Sequence, residues 1–175
     1  MPGVAPADQL ARTASALAES GRLVLRQWHN VRRVLADHNT CDHCALFTYC
    51  GEQRQGVAEG VSACDQVVHT ASAGAPLDEE AVGEISGALR EQQRRLAQAR
   101  KVVRRAWPEG RSGRPVQALS LAMGDLRSLA DAVPNLNLAP AWRDRWREYL
   151  IDVGNRILAA ARAVDAEAQW NRIHG

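Results

Sequence analysis

Apolar residues recur at alternating spacings of three and four along this chain, in five separate windows, and no strand-like alternation of useful length accompanies them. The first window is Leu10, Ala14, Leu17, Gly21, Val24, Trp28, Val31 and Leu35. That spacing places all eight on one face of a helix predicted from about Asp8 to His38. Gly21 sits on the stripe, where it weakens the helix but lets a neighbour approach closely. A shorter stripe, Val57, Val61, Cys64, Val68 and Ala71, predicts a helix of a few turns after Gly51.

The small-residue linker ASAGAP follows at 71–76. Leu77 and Asp78 then read as a staple residue and an N-cap, with Glu79 and Glu80 placed to offset the positive helix start. The helix they open carries Val82, Ile85, Leu89, Gln92, Leu96, Ala99, Val103 and Ala106 on one face. Pro108 and the loop EGRSGR stop it. Pro115 starts another helix, striped by Val116, Leu119, Met123, Leu126, Ala130 and Val133, and PNLNLAP breaks it. The last helix begins near Ala141. Its stripe is Trp146, Leu150, Val153, Ile157, Ala160 and Val164, with Trp142 one turn earlier.

These windows predict an all-α fold: an antiparallel bundle of four main helices, with a short fifth helix in a Cys-rich insertion at about 39–75. A chain of 175 residues is long enough to bury one core, so residues 1–175 are expected to form a single domain. Similar spacing can signal a coiled-coil oligomer. The connecting loops, short enough to join antiparallel neighbours, favour packing within one chain. Trp142, Trp146 and Tyr149 are candidates for an exposed interface.

Composition agrees with helices. The chain is 46% hydrophobic, mostly Ala, Leu and Val, and 5% aromatic, a mix poorer in β-branched and aromatic residues than sheets favour. Net charge is +2, too small by itself to imply a polyanion partner. The start, MPGVAPADQLART, lacks the basic and apolar regions of a secretory signal. No apolar run approaches the ~20 residues that span a bilayer. A soluble cytoplasmic protein with no membrane partner is the expectation.

Chemistry is concentrated in one stretch, HNTCDHCALFTYCGEQRQGVAEGVSAC, which holds every cysteine of the chain: Cys41, Cys44, Cys50 and Cys64. Cys41-x2-Cys44 is the spacing at which one tight turn aims two thiolates at a single ion. Thiols of a cytoplasmic protein are held reduced, so such a cluster points to metal binding or redox work before a disulfide framework. Thiolates suit zinc or a 4Fe-4S cluster, either with four ligands. His38, His43 and His69 flank the set as substitute ligands, and His38 continues the first stripe three residues after Leu35. Against this, free cysteine packs well as a small buried hydrophobe, and Cys64 lies on an apolar stripe. Zinc is favoured over the cluster because it needs no assembly machinery and accepts mixed Cys and His ligands.

Cys41-x2-Cys44-x5-Cys50 resembles the three-cysteine portion of the WhiB-like iron–sulfur regulators of high-GC bacteria, over ten residues. In that family the isolated fourth cysteine precedes the triplet, whereas Cys64 follows it here. The glycine- and tryptophan-containing turn that follows the cluster there is absent. No function is carried over.

Residues 90–114 hold nine basic side chains against two acidic ones, a local charge of +7 in a chain of +2. Arg90, Arg94, Lys101, Arg104 and Arg105 fall on the face opposite the apolar stripe, an arrangement able to bind nucleic-acid phosphates. A bundle helix needs a polar face in any case, and Lys101 is the only lysine among 22 basic residues, so arginine is this chain's usual solvating residue. No aromatic residues interleave with these arginines to stack bases. No phosphate loop, nucleophile elbow, HExxH or Glu-x-x-His pair is present, and no catalytic residue is assigned. Asp144 and Glu148, among Arg143, Arg145 and Arg147, read as a surface ion-pair lattice of small energetic value.

The expectation is therefore a non-enzymatic interaction or regulatory module with a Cys-centred metal site, whose partner is another protein or a second copy. A thiol-based redox sensor or enzyme using Cys41 or Cys44 is the alternative, and a partner-binding bundle with inert buried cysteines is the third reading.

Overall fold

The computed structural model describes residues 3, 5–35, 77–107, 113–137 and 140–174. Among them are four α-helices and no strand: α1 (Pro6–Leu35), α2 (Glu79–Ala106), α3 (Gly113–Ala132) and α4 (Pro140–His174). A 3-10 turn, Val133–Asn137, follows α3. The described residues are all-α. The short helix expected at 57–71 lies outside the described residues, as does the 39–75 insertion.

Local chemistry sets the helix ends. Pro6 opens α1 where a missing N–H costs nothing, and the Ala5 carbonyl accepts from the N–H groups of Asp8 and Gln9 at 3.0 Å each. Asp78 caps α2 as expected: its backbone is extended (φ −79°, ψ 173°) and its Oδ1 accepts the Ala81 N–H at 2.7 Å. Leu77 beside it is buried. The other end of α2 breaks at Trp107, extended at φ −116° and ψ 123°, because the Pro that follows disfavours helical backbone before it. The α3 helix gives way to the 3-10 turn at Pro134, which lacks the N–H that would have bonded the Ala130 carbonyl. Ser86 of α2 takes over that carbonyl, donating to it at 3.1 Å. Trp146 of α4 serves the neighbouring Leu129 carbonyl through its indole N–H at 3.0 Å.

The apolar stripes are buried against one another. Leu10, Ala14, Leu17, Val24, Trp28 and Val31 of α1, the Ile85-to-Val103 stripe of α2, and Trp146 through Val164 of α4 belong to one core cluster. The α3 helix departs most from its predicted stripe: Ala122 and Leu129 are buried, whereas Val116 and Met123 are half-buried, as are Val82 and Ala106 at the two ends of the α2 stripe. The α3 helix packs on both α2 and α4, so its buried face is wider than one stripe.

The most extensive packing joins α1 to α4. Gly21 makes it close, as its place on the stripe suggested, and Gly154 of α4 is its counterpart. A Cβ on Gly21 would meet Leu158 at 2.9 Å, and one on Gly154 would meet the Leu25 Cγ at 2.5 Å. The ring centroids of Trp28 and Trp146 stand 6.3 Å apart at 45°, and Asp8 pairs with Arg172 at 3.3 Å. Residue numbers fall on α4 as they rise on α1, so these two helices run in opposite directions. Between α1 and α2 lies one buried polar contact: Ser20 donates to Gln92 Oε1 at 2.8 Å, both residues being almost wholly buried. No helix among the described residues is long and apolar enough to cross a membrane.

Candidate functional site

Cys41, Cys44, Cys50 and Cys64, with His38, His43 and His69, all lie outside the described residues. Among the described residues no group of three or more His, Cys, Asp or Glu is arranged to hold a metal ion. The segment carrying the thiols is bounded on one side by the α1 end at Leu35 and on the other by the buried Leu77.

The basic face of α2 is described in full. Arg90, Arg94, Lys101, Arg104 and Arg105 are all exposed, on the side away from the core. Two of them are already engaged. Arg90 pairs across to Asp131 at 2.7 Å, and Arg94 grips Glu91 through Nε at 2.9 Å and Nη2 at 2.6 Å. The Arg94 hydrogen bond and charge hold the Glu91 carboxyl below its ordinary pKa. Arg100 turns toward α3 and donates to Ser120 at 2.9 Å. Lys101, Arg104 and Arg105 have no ion pair among the described residues. Arg104 and Arg105 occupy the last turn of α2, where cations offset the negative helix end.

A site that sequence reading saw only in part lies between α3 and α4. Ser128, Leu129 and Ala132 of α3 face Trp142, Arg145, Trp146 and Tyr149 of α4, with Asn135 and Leu136 of the 3-10 turn closing one side. Together they line a recess of about 320 Å³. The α4 set falls at i, i+3, i+4 and i+7, a single helical face. Trp142, Trp146 and Tyr149 were expected as an exposed interface. Trp146 is instead buried, held by its hydrogen bond to Leu129, while Trp142 is 50% and Tyr149 37% exposed. Arg145, Asn135 and Ala132 were not foreseen as part of this set. Residues 128, 129 and 132 share one face of α3, but only the pairing of α3 with α4 turns that face toward Trp142 and Trp146.

Tyr149, one of the lining residues, is held electrostatically. Asp125 accepts the Tyr149 hydroxyl on one oxygen and Arg156 Nη1 on the other. Desolvation of the ring, then the hydrogen bond to Asp125 and its charge, push the Tyr149 hydroxyl up to about 12. Arg143 donates to the Leu136 carbonyl at 2.9 Å and holds the 3-10 turn against α4. Of the expected surface ion pairs here, Arg147 with Glu148 stands at 3.8 Å.

No protein-family model, curated protein or solved structure matches this chain.

Proposed function

We propose that the chain is a single-domain antiparallel four-helix bundle whose Cys-rich segment binds a metal ion and serves as a non-enzymatic interaction or regulatory module in the cytoplasm. Cys41, Cys44, Cys50 and Cys64 are the ligands, with His38, His43 and His69 able to substitute. Zinc is the first choice and a 4Fe-4S cluster the second. The partner is another protein or a second copy of the chain.

The observation that carries this reading is the confinement of all four cysteines to residues 41–64, opened by a CxxC pair. The packing supports it indirectly. All four described helices bury their own stripes in a common core. The segment between Leu35 and Leu77 contains Gly and Ser and offers only the short Val57–Ala71 stripe, so metal ligation supplies the free energy that apolar packing there does not. The arginine face fits the solvating role better than a phosphate site, since Arg90 and Arg94 are held by Asp131 and Glu91.

Alkylation separates this reading from its rivals, because thiolate access controls cysteine reactivity. With the metal bound, iodoacetamide labels the cysteines slowly until a chelator is added, and then labels several together. Fast labelling of a single thiol in untreated protein, read by mass spectrometry, means a redox sensor or enzyme instead. Protection that survives chelation and ends only on unfolding means inert buried cysteines.

A further inference from the structure

We infer that the recess between α3 and α4 is a binding site for a small apolar aromatic carboxylate. Its volume of about 320 Å³ falls within the range of small-molecule pockets, and its walls are of the right kind. Trp142, Trp146 and Tyr149 offer aromatic surface, and Leu129, Ala132 and Leu136 complete an apolar interior. Planar rings stack on such walls in offset or edge-to-face arrangements.

Charge selects the ligand's head group. Arg145 carries the one formal charge of the lining, and it makes no hydrogen bond or ion pair among the described residues. Among the described residues no carboxylate lines the recess. Asp125, outside the lining, is already taken by the Tyr149 hydroxyl and by Arg156. Asn135 and Trp142, which also line the recess, carry an amide and an indole N–H as further donors, whereas the Ser128 hydroxyl donates to the Gly124 carbonyl at 3.2 Å. A rim rich in donors with one free cation suits an acceptor-only anion, which a guanidinium can hold through two parallel hydrogen bonds. A cationic ligand would meet Arg145 with like charge.

The site is also pre-formed. Trp146 is fixed by the Leu129 carbonyl, Tyr149 by Asp125, and the 3-10 turn by Arg143, so little ordering is needed on binding. The inference does not depend on the metal reading, since none of these residues belongs to the cysteine segment.

Calorimetric titration of the full chain with naphthoate tests it, alongside the neutral naphthamide and the cationic naphthylmethylammonium. Naphthoate is expected to bind one site, with naphthamide weaker by about tenfold, the value of a charge-assisted hydrogen bond. Arg145→Gln should lower naphthoate to the level of naphthamide, and the ammonium compound should not bind. Ser128→Phe, at an exposed rim position, should fill the recess and abolish binding. Trp142→Ala, also at an exposed position, provides a second variant should Ser128→Phe lose its far-UV helical signal, and it should weaken naphthoate severalfold. Absence of saturable binding, equal affinity for naphthoate and naphthamide, or unchanged affinity in Arg145→Gln would overturn the assignment.

Discussion

Replacing Gly154 by Ala should destabilise the protein, although the same change stabilises an ordinary exposed helix. The added Cβ would stand 2.5 Å from Leu25 Cγ and 2.6 Å from its Cδ2. Carbon atoms in contact prefer about 3.5–4.0 Å, so the overlap is on the order of 1 Å. Leu25 is 1% exposed and has no open side to move into. If α1 backs away instead, it loses the close contact of Gly21 with Leu158 and Gly154. Overpacking of this kind costs about 1–3 kcal/mol, while Ala gains about 1 kcal/mol over Gly in helix propensity. The severe overlap places the cost near the upper end, which leaves a net loss of about 1–2 kcal/mol. Gly87→Ala and Gly124→Ala are the controls, because a Cβ at either meets nothing within 4 Å. Each should gain up to about 1 kcal/mol. In urea the Gly154→Ala midpoint should fall by about 0.5–1 M, and the control midpoints should rise, with slopes unchanged. A Gly154→Ala midpoint at or above that of the parent protein would refute the close crossing of α1 and α4.

Ser20→Ala should cost about 1–2 kcal/mol in the same assay by leaving buried Gln92 Oε1 without its donor, and adding Gln92→Leu should recover most of the loss. The Tyr149 hydroxyl, identified by its absence in Tyr149→Phe, should titrate at about 12, and Asp125→Asn should bring it only part of the way toward the usual value near 10, because burial, the larger cause, remains. Since the folded value is the higher, Tyr149's contribution to stability is complete below about pH 10 and is lost as pH rises toward 12; equal alkaline sensitivity of the parent and Tyr149→Phe in urea titrations would contradict this. Cys41→Ser and Cys44→Ser should abolish metal binding yet keep most of the far-UV helical signal, because the four described helices carry their own apolar stripes. Wholesale loss of helix in either variant would show that the metal organises the core.

Helix positions were legible because their signals are local. The three-four spacing of Leu10 to Val31 and of Trp146 to Val164 needs no knowledge of neighbours, and Asp78 before two glutamates marks a helix start by chemistry alone. Gly21 revealed that something comes close. That its counterpart is Gly154 was hidden, since Gly154 sits one residue off its own stripe and only the α1–α4 register brings the two together. Gln92 read as a polar residue on an apolar face, and its reason, Ser20, lies 72 residues away. The recess was illegible for the same cause. Trp142, Trp146 and Tyr149 mark one face, but whether that face is flat or hollow is decided by small Ser128 and Ala132 on the helix opposite. Pro134 signalled a break, whereas the capture of the released carbonyl by Ser86 depends on how α2 and α3 meet. The cysteine segment offers the reverse case: its spacing is explicit in sequence, and its residues lie outside those the structure describes.

Metal content decides whether the cysteine segment holds an ion. Protein purified without oxygen and without added metal is assayed for zinc and iron, and its visible absorption is recorded on the same sample. Ligation by the cysteines means about one zinc per chain with no visible band, or iron with the broad absorption of one cluster. Neither zinc nor iron above trace would contradict it.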